Sequence, residues 1–193
     1  MTSSRAGWLS AKQARLLIAA MLAVSLVLGG AFLAVDRLHS RPADALNHPD
    51  RPATDEQSQA QALDAARHLV SIANLHPTTA GYLLMSCTDR DNPPYQGAIY
   101  LTFTVPADTH ADTYLPAVAS ALVADGWTEG LPPGGHAFGK TLSKEGVTAI
   151  VYQQDNDEHR GILRLYGECR NMSDHRNDTT GWVDVSGQFN PPS

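Results

Sequence analysis

The chain has 193 residues, 42% of them apolar and 18% charged, which leaves room for one ordinary domain and excludes a wholly disordered chain. Three of its 14 Lys and Arg (Arg5, Lys12 and Arg15) precede the first of its 20 acidic residues, Asp36, so the remainder sets 11 basic against 20 acidic side chains, a formal −9. So acidic a domain excludes nucleic acid as a partner, because neutralising phosphates supplies most of that affinity.

Residues 1–15 read as a short basic cytoplasmic tail. The next twenty, 16–35 (LLIAAMLAVSLVLGGAFLAV), carry no charge. At about 1.5 Å per residue a helix of that length crosses a hydrocarbon layer of roughly 30 Å, so the pattern predicts a single transmembrane helix. Arg37, Arg41 and Arg51 follow it, and the basic residues on its two sides nearly balance. The acid-free N-terminus and the position of the cysteines place the N-terminus inside and the domain outside, a single-pass protein of the cell membrane with the membrane as a partner. A cleavable signal peptide cut near Gly29-Gly30-Ala31, with a secreted domain, is the alternative. Residues 36–53, with three prolines and no apolar periodicity, read as a linker.

The folded domain is expected over 54–170. Thr54 and Gln57 form a capping-box pattern, and Leu63, Ala66, Val70 and Ala73 recur at helical spacing toward Pro77, predicting one amphipathic helix. Strands follow at Tyr82–Cys87 and Ala98–Val105, where apolar and polar residues alternate. A second helix is predicted from about Ala111 to Asp125. Pro116 there demands a start near Asp112 or Thr113, so that it sits in the first turn, and Gly126 supplies the stop. A return strand then begins at Trp127, and strands near Ala137–Ser143, Val147–Gln154 and Gly161–Cys169 complete a meander that turns at Lys144-Glu145-Gly146. The expected fold class is α+β: an antiparallel sheet of about five or six strands with two helices on one face, behind an N-terminal transmembrane helix and closed by one disulfide. Residues 171–193 read as a polar tail able to add a short edge strand.

Cys87 and Cys169 are the only cysteines, both on the exported side. An even count in an oxidising compartment predicts a disulfide, and two thiols alone do not make a structural zinc site. Strand parity groups Cys87 with Leu83 and Met85, and Cys169 with Leu163 and Leu165, so both sulfurs are expected in one buried apolar layer.

The helix end Leu122-Val123-Ala124-Asp125-Gly126-Trp127, the hairpin at Lys144-Glu145-Gly146 and the strand end Gly167-Glu168-Cys169 together resemble small exported proteins of high-GC Gram-positive bacteria. Many of those are membrane-anchored or lipoproteins, and most are uncharacterised. The resemblance spans roughly residues 80–170 and implies a cell-envelope location with no reaction attached. No cysteine follows Gly29-Gly30, a departure from the lipoprotein members.

No residue is assigned a catalytic, cofactor-binding or metal-binding role, and no cofactor is implied. The eight histidines are scattered, with no His-x-His or i,i+4 pair. Asp108-Thr109-His110-Ala111-Asp112 reads as capping of the second helix rather than a metal site. Asp155-Asn156-Asp157-Glu158-His159 opens like a calcium loop, but His159 and Arg160 stand where the pattern needs a ligand and a glycine, so an acidic hairpin tip is the better account. Asp89-Arg90-Asp91 reads as a solvated turn. Nucleophile motifs such as Gly-x-Ser-x-Gly, Ser-x-x-Lys and His-Glu-x-x-His are absent. The expected function is a non-catalytic binding or interaction module of the cell envelope, with a protein or envelope component docking near Tyr95, Tyr100 or Trp127. An envelope hydrolase with dispersed active-site residues is one alternative. A pH or metal sensor using His110, His136 or His159 is the other.

Overall fold

The computed structural model describes residues 51–88, 91–136, 138–178 and 181–189. The first helix, α1 (Asp55–Ile72), starts on the expected capping box: Gln57 N–H donates to Thr54 Oγ1 at 3.2 Å, and Thr54 N–H donates to Gln57 Oε1 at 3.0 Å. Ala62, Leu63, Ala66 and Leu69 fall on one stripe and are buried. The helix ends in a Schellman pattern. Asn74 takes a left-handed φ of 49°, its N–H bonds Ser71 O, and Leu75 N–H bonds Val70 O.

The second helix, α2 (Ala111–Ala124), stops in the same way. Gly126 at φ 92° allows Gly126 N–H to reach Val123 O and Trp127 N–H to reach Leu122 O. Its start corrects the sequence reading. His110 is the N-cap residue and makes no side-chain cap bond, and Pro116 lies beyond the first turn. A proline there removes one helical hydrogen bond, which the burial of Leu115, Val118 and Leu122 on the same helix offsets.

The strands are β1 (Pro77–Ser86), β2 (Tyr95–Thr104), β3 (Thr128–Glu129), β4 (Lys140–Lys144), β5 (Val147–Gln153), β6 (Arg160–Tyr166) and β7 (Val183–Asp184). They form one antiparallel sheet in the order β3-β4-β5-β6-β2-β1-β7. The expected five or six strands become seven because two-residue strands count at each edge. Glu145 and Gly146, both at positive φ, make the two-residue turn between β4 and β5 whose twist suits a hairpin. The hairpin tip over 155–159 is a turn in which Asp157 Oδ1 accepts from His159 N–H and pairs with Arg160. Of Asp89-Arg90-Asp91, only Asp91 is among the described residues.

Both helices pack on the sheet face that presents Tyr82, Ile99, Leu101, Phe103, Leu142, Val151, Leu163 and Leu165, and the core lies between them. Gly97 lets α1 approach β2, since a Cβ there would stand 2.4 Å from Ser58 O.

The predicted membrane-spanning helix over 16–35 lies outside the described residues, with the tail over 1–15 and nearly all of the linker over 36–53. Among the described residues no helix is long and apolar enough to cross a membrane. At 18 residues α1 is the longer of the two described helices, but Asp55, Glu56, Asp64 and Arg67 make it too polar to span a bilayer. The architecture is therefore corrected to an α+β fold stated without a transmembrane helix.

The disulfide joins Cys87 to Cys169, with Cα atoms 6.1 Å apart. Its surroundings correct the parity argument. Leu83 and Met85 point to the face without helices and are half-buried, whereas Leu163 and Leu165 point into the core. Cys169 follows the end of β6 by three residues, where alternation no longer holds, and both cysteines are half-buried.

Candidate functional site

Two regions gather side chains that the core does not consume. The first is the helix-free sheet face. Register places Ile150, Arg164, Tyr100 and Gly81 side by side on β5, β6, β2 and β1. Trp182, arriving just before β7, lies over Gly81 and packs against Tyr100 with ring centroids 5.9 Å apart. The Arg164 guanidinium sits over the rings of both Tyr100, at 5.8 Å, and Tyr152, at 5.5 Å. On the far side His136 stacks on Tyr152 at 3.8 Å. Trp182 and Arg164 are exposed and Tyr100 is half-buried.

Among the described Lys and Arg residues only Arg51 and Arg164 pair with no carboxylate. Arg67, Lys140, Lys144, Arg160, Arg170 and Arg176 each pair with a carboxylate. Arg164 pairs with none among the described residues, so its charge is met only by the ring faces beneath it.

The second region is a cleft of about 300 Å³ at the β1 edge, between Tyr82, Leu84 and Tyr95 on one side and His175, Asp178 and Val183 on the other. The returning tail builds its wall. Asn171, fully buried, exchanges backbone hydrogen bonds with Tyr95 and donates from Nδ2 to Asp55 Oδ1 at 2.7 Å. Its own Oδ1 accepts from Ser173 N–H at 2.8 Å. His175 stands edge-on to the Tyr95 ring, with Nδ1 2.7 Å from Asp178 and Nε2 3.1 Å from Asp55. Desolvation works against a charged ring here. The Asp178 hydrogen bond and the charge and hydrogen bond of Asp55 prevail, and the His175 pKa is raised. The Asp55 pKa is lowered, first by the Asn171 hydrogen bond, against desolvation, and then by His175.

Beside this clamp the Tyr82 hydroxyl is buried and has no hydrogen-bond partner among the described residues. Such a group costs about 1–3 kcal/mol relative to a satisfied one. Burial, and secondarily the charge of Asp55, push its pKa up to about 12, so it stays protonated and can donate.

The other predicted residues are dispersed. Tyr95 and Trp127, expected on a docking surface, are both buried, which leaves Tyr100 as the one of the three on an open face. Of the histidines named for a sensor, His110 and His159 line one cavity of about 270 Å³ with Asp112 and Glu158, while His136 is stacked on Tyr152. Among the described residues no group of three or more His, Cys, Asp or Glu converges as metal ligands. His175 comes closest to hydrolase chemistry, but both ring nitrogens are bonded to carboxylates, so neither can take a proton from a nucleophile. Sequence reasoning passed over Tyr82, Arg164 and His175. Only His175 left a local trace, with Asp178 three residues on.

The family model described as "Putative lipoprotein LppJ" matches residues 54–188, the whole stretch that builds the sheet, both helices and the returning tail. The chain belongs to the LppJ family. Relatives named "Putative lipoprotein LppJ" in Mycobacterium tuberculosis are 38% identical over 173 residues, covering 86% of this chain and 89% of theirs. One of that name in Mycobacterium bovis is 38% identical over 160 residues, covering 81% and 82%. No solved structure matches the chain.

Membership confirms the resemblance to small extracytoplasmic proteins of high-GC Gram-positive bacteria. It also corrects the placement. An LppJ-family match, with no spanning helix among the described residues, fits an extracytoplasmic lipoprotein-family protein in place of a single-pass membrane protein that has the membrane as its partner. Both cysteines of the sequence are joined to each other, so neither thiol is open to acylation.

Proposed function

We propose that this LppJ-family chain is a non-catalytic binding module of the cell envelope, and that its helix-free sheet face receives an acidic segment of a protein partner. The observation that carries this reading is Arg164: an exposed guanidinium without a carboxylate among the described residues, over Tyr100 and Tyr152, with Trp182 packed on the other side of Tyr100. Trp, Tyr and Arg dominate the energetics of protein interfaces, and a cation held on ring faces has already shed part of its hydration. A partner carboxylate would complete the pair that six other basic side chains already possess. The organisation into a tail over 1–15, a linker over 36–53, a folded domain over 54–170 and a polar tail over 171–193 belongs to the same proposal.

Photo-crosslinking in the native envelope tests it. A photoreactive residue at Trp182 should give a discrete adduct, and one at Val123, exposed on α2, should not. Arg164→Glu should reduce the Trp182 adduct by roughly tenfold, because the cation offered to an acidic partner is replaced by a repelling charge. Equal adducts at both positions, or an adduct indifferent to Arg164→Glu, would overturn the reading.

A further inference from the structure

The register that lines up Arg164, Tyr100 and Gly81 continues one strand further, to Asp184 on β7, so a single row crosses β6, β2, β1 and β7. Its two ends carry opposite charges, and Trp182 lies over its middle, above Gly81 and beside Tyr100. Resting on the docking reading above, we propose that this row selects a partner segment of mixed charge. The segment is extended, with an acidic residue for Arg164, a basic residue four positions away for Asp184, and an apolar residue midway for Trp182 and Tyr100.

Three observations select this pattern. The first is the place of Asp184. It is exposed, stands two residues after Trp182 on the same face, and lines with Trp182, Tyr100 and Gly81 a shallow hollow of about 360 Å³. One of its oxygens accepts from Ser186 N–H at 2.9 Å, and the hydrogen bonds from Ser186 lower its pKa, so it is ionised at neutral pH. The second is distance. Neighbouring strands stand about 4.8 Å apart, which puts Asp184 roughly 14 Å along the row from Arg164. That exceeds the screening length of about 8–10 Å at ordinary ionic strength, so the two ends do not neutralise each other. The third is the match to an extended chain laid across the strands. Such a chain rises about 3.3 Å per residue and alternates its side chains, so residues two and four places on share one face at roughly 7 and 13 Å. The middle one meets the Trp182 and Tyr100 rings, side chains of the kind that dominate interface energy, and the outer two meet opposite charges. A segment acidic at both ends would set its second acid against Asp184, a repulsion that separates this selection from plain attraction to acid.

The Trp182 crosslink in the native envelope tests it with Asp184→Asn, which removes the charge and still offers an oxygen to Ser186 N–H. The adduct should fall by roughly threefold, about what one exposed ion pair supplies. A partner read for acidity alone would respond the other way, because Asp184 would only repel it. An adduct that rises or stays level therefore overturns the charge pattern and leaves the docking reading standing, whereas absence of any discrete adduct in the wild-type chain overturns both. A second measurement titrates the Trp182 indole NMR signal of the purified full chain with two capped peptides, Glu-Ser-Leu-Ser-Lys and Glu-Ser-Leu-Ser-Glu. The mixed-charge peptide should bind at least roughly threefold more tightly, and Asp184→Asn should erase that difference. Equal binding of the two peptides, or a preference that survives Asp184→Asn, would sink the proposal.

Discussion

Asn171 shows how much one buried polar side chain can organise. It is fully buried, and its amide serves two separate needs, the Asp55 carboxylate and the Ser173 N–H, while its backbone joins Tyr95. Asn171→Ala removes the hydrogen bonds to Asp55 and to Ser173 N–H and empties the space of a fully buried side chain. We expect a loss of about 2–3 kcal/mol of unfolding free energy, read from urea denaturation midpoints at neutral pH. Nothing local announces this role, since Asn171 stands in a polar stretch and its carboxylate partner is 116 residues away. The same holds for Tyr82. Its place in a strand was legible, but the surroundings of its hydroxyl depend on what the tail brings back to it.

At the scale of elements, the tail from Asn171 to Phe189 is held by a few polar contacts and by β7. Ser186 Oγ accepts from Ala80 N–H, Val185 N–H donates to Ala80 O, and His175 spans Asp55 and Asp178. The His175 pKa is raised above 6.5 in the fold, so its stabilisation is fully present below about pH 6.5 and is lost as pH rises through the folded value. Asp55 runs the opposite way: its pKa is lowered, so its contribution is present above about pH 3.9 and is lost in acid. Compared with His175→Asn, the wild-type chain should therefore show its largest advantage in urea midpoint near pH 5.5, shrinking by pH 8.5. An advantage that grew with pH would contradict the clamp. Helix α1 was readable because its capping box and apolar stripe are local. Helix α2 was misjudged at its start because a proline penalty, local and large, was outweighed by core burial that no local pattern displays.

Across the whole molecule, the sheet carries both helices on one face, and the disulfide closes a separation of 82 residues. In the loop-entropy model such a closure stabilises the fold by about 4–5 kcal/mol. Replacing both Cys87 and Cys169 with Ser should lower the unfolding free energy by about 4 kcal/mol. A loss below about 1 kcal/mol would show that the denatured state is not limited by this link. The pairing was legible from the count of cysteines, but the layer was not. Parity carries a side chain's direction only while the strand continues, and Cys169 lies past the end of β6.

By itself, the sequence determined the acidic balance of the chain, the α+β class, the two helices, the central strands and the partnership of Cys87 with Cys169. Each of these follows from composition or from spacing within a single element. Only the tertiary structure decided that Arg164 rests on two tyrosines from neighbouring strands, that Tyr95 and Trp127 are buried, and that His175 meets carboxylates from both ends of the domain. The physical reason is that these are matters of partnership between residues far apart in the chain. Register and the return of the tail settle them, and neither leaves a periodic mark on the sequence.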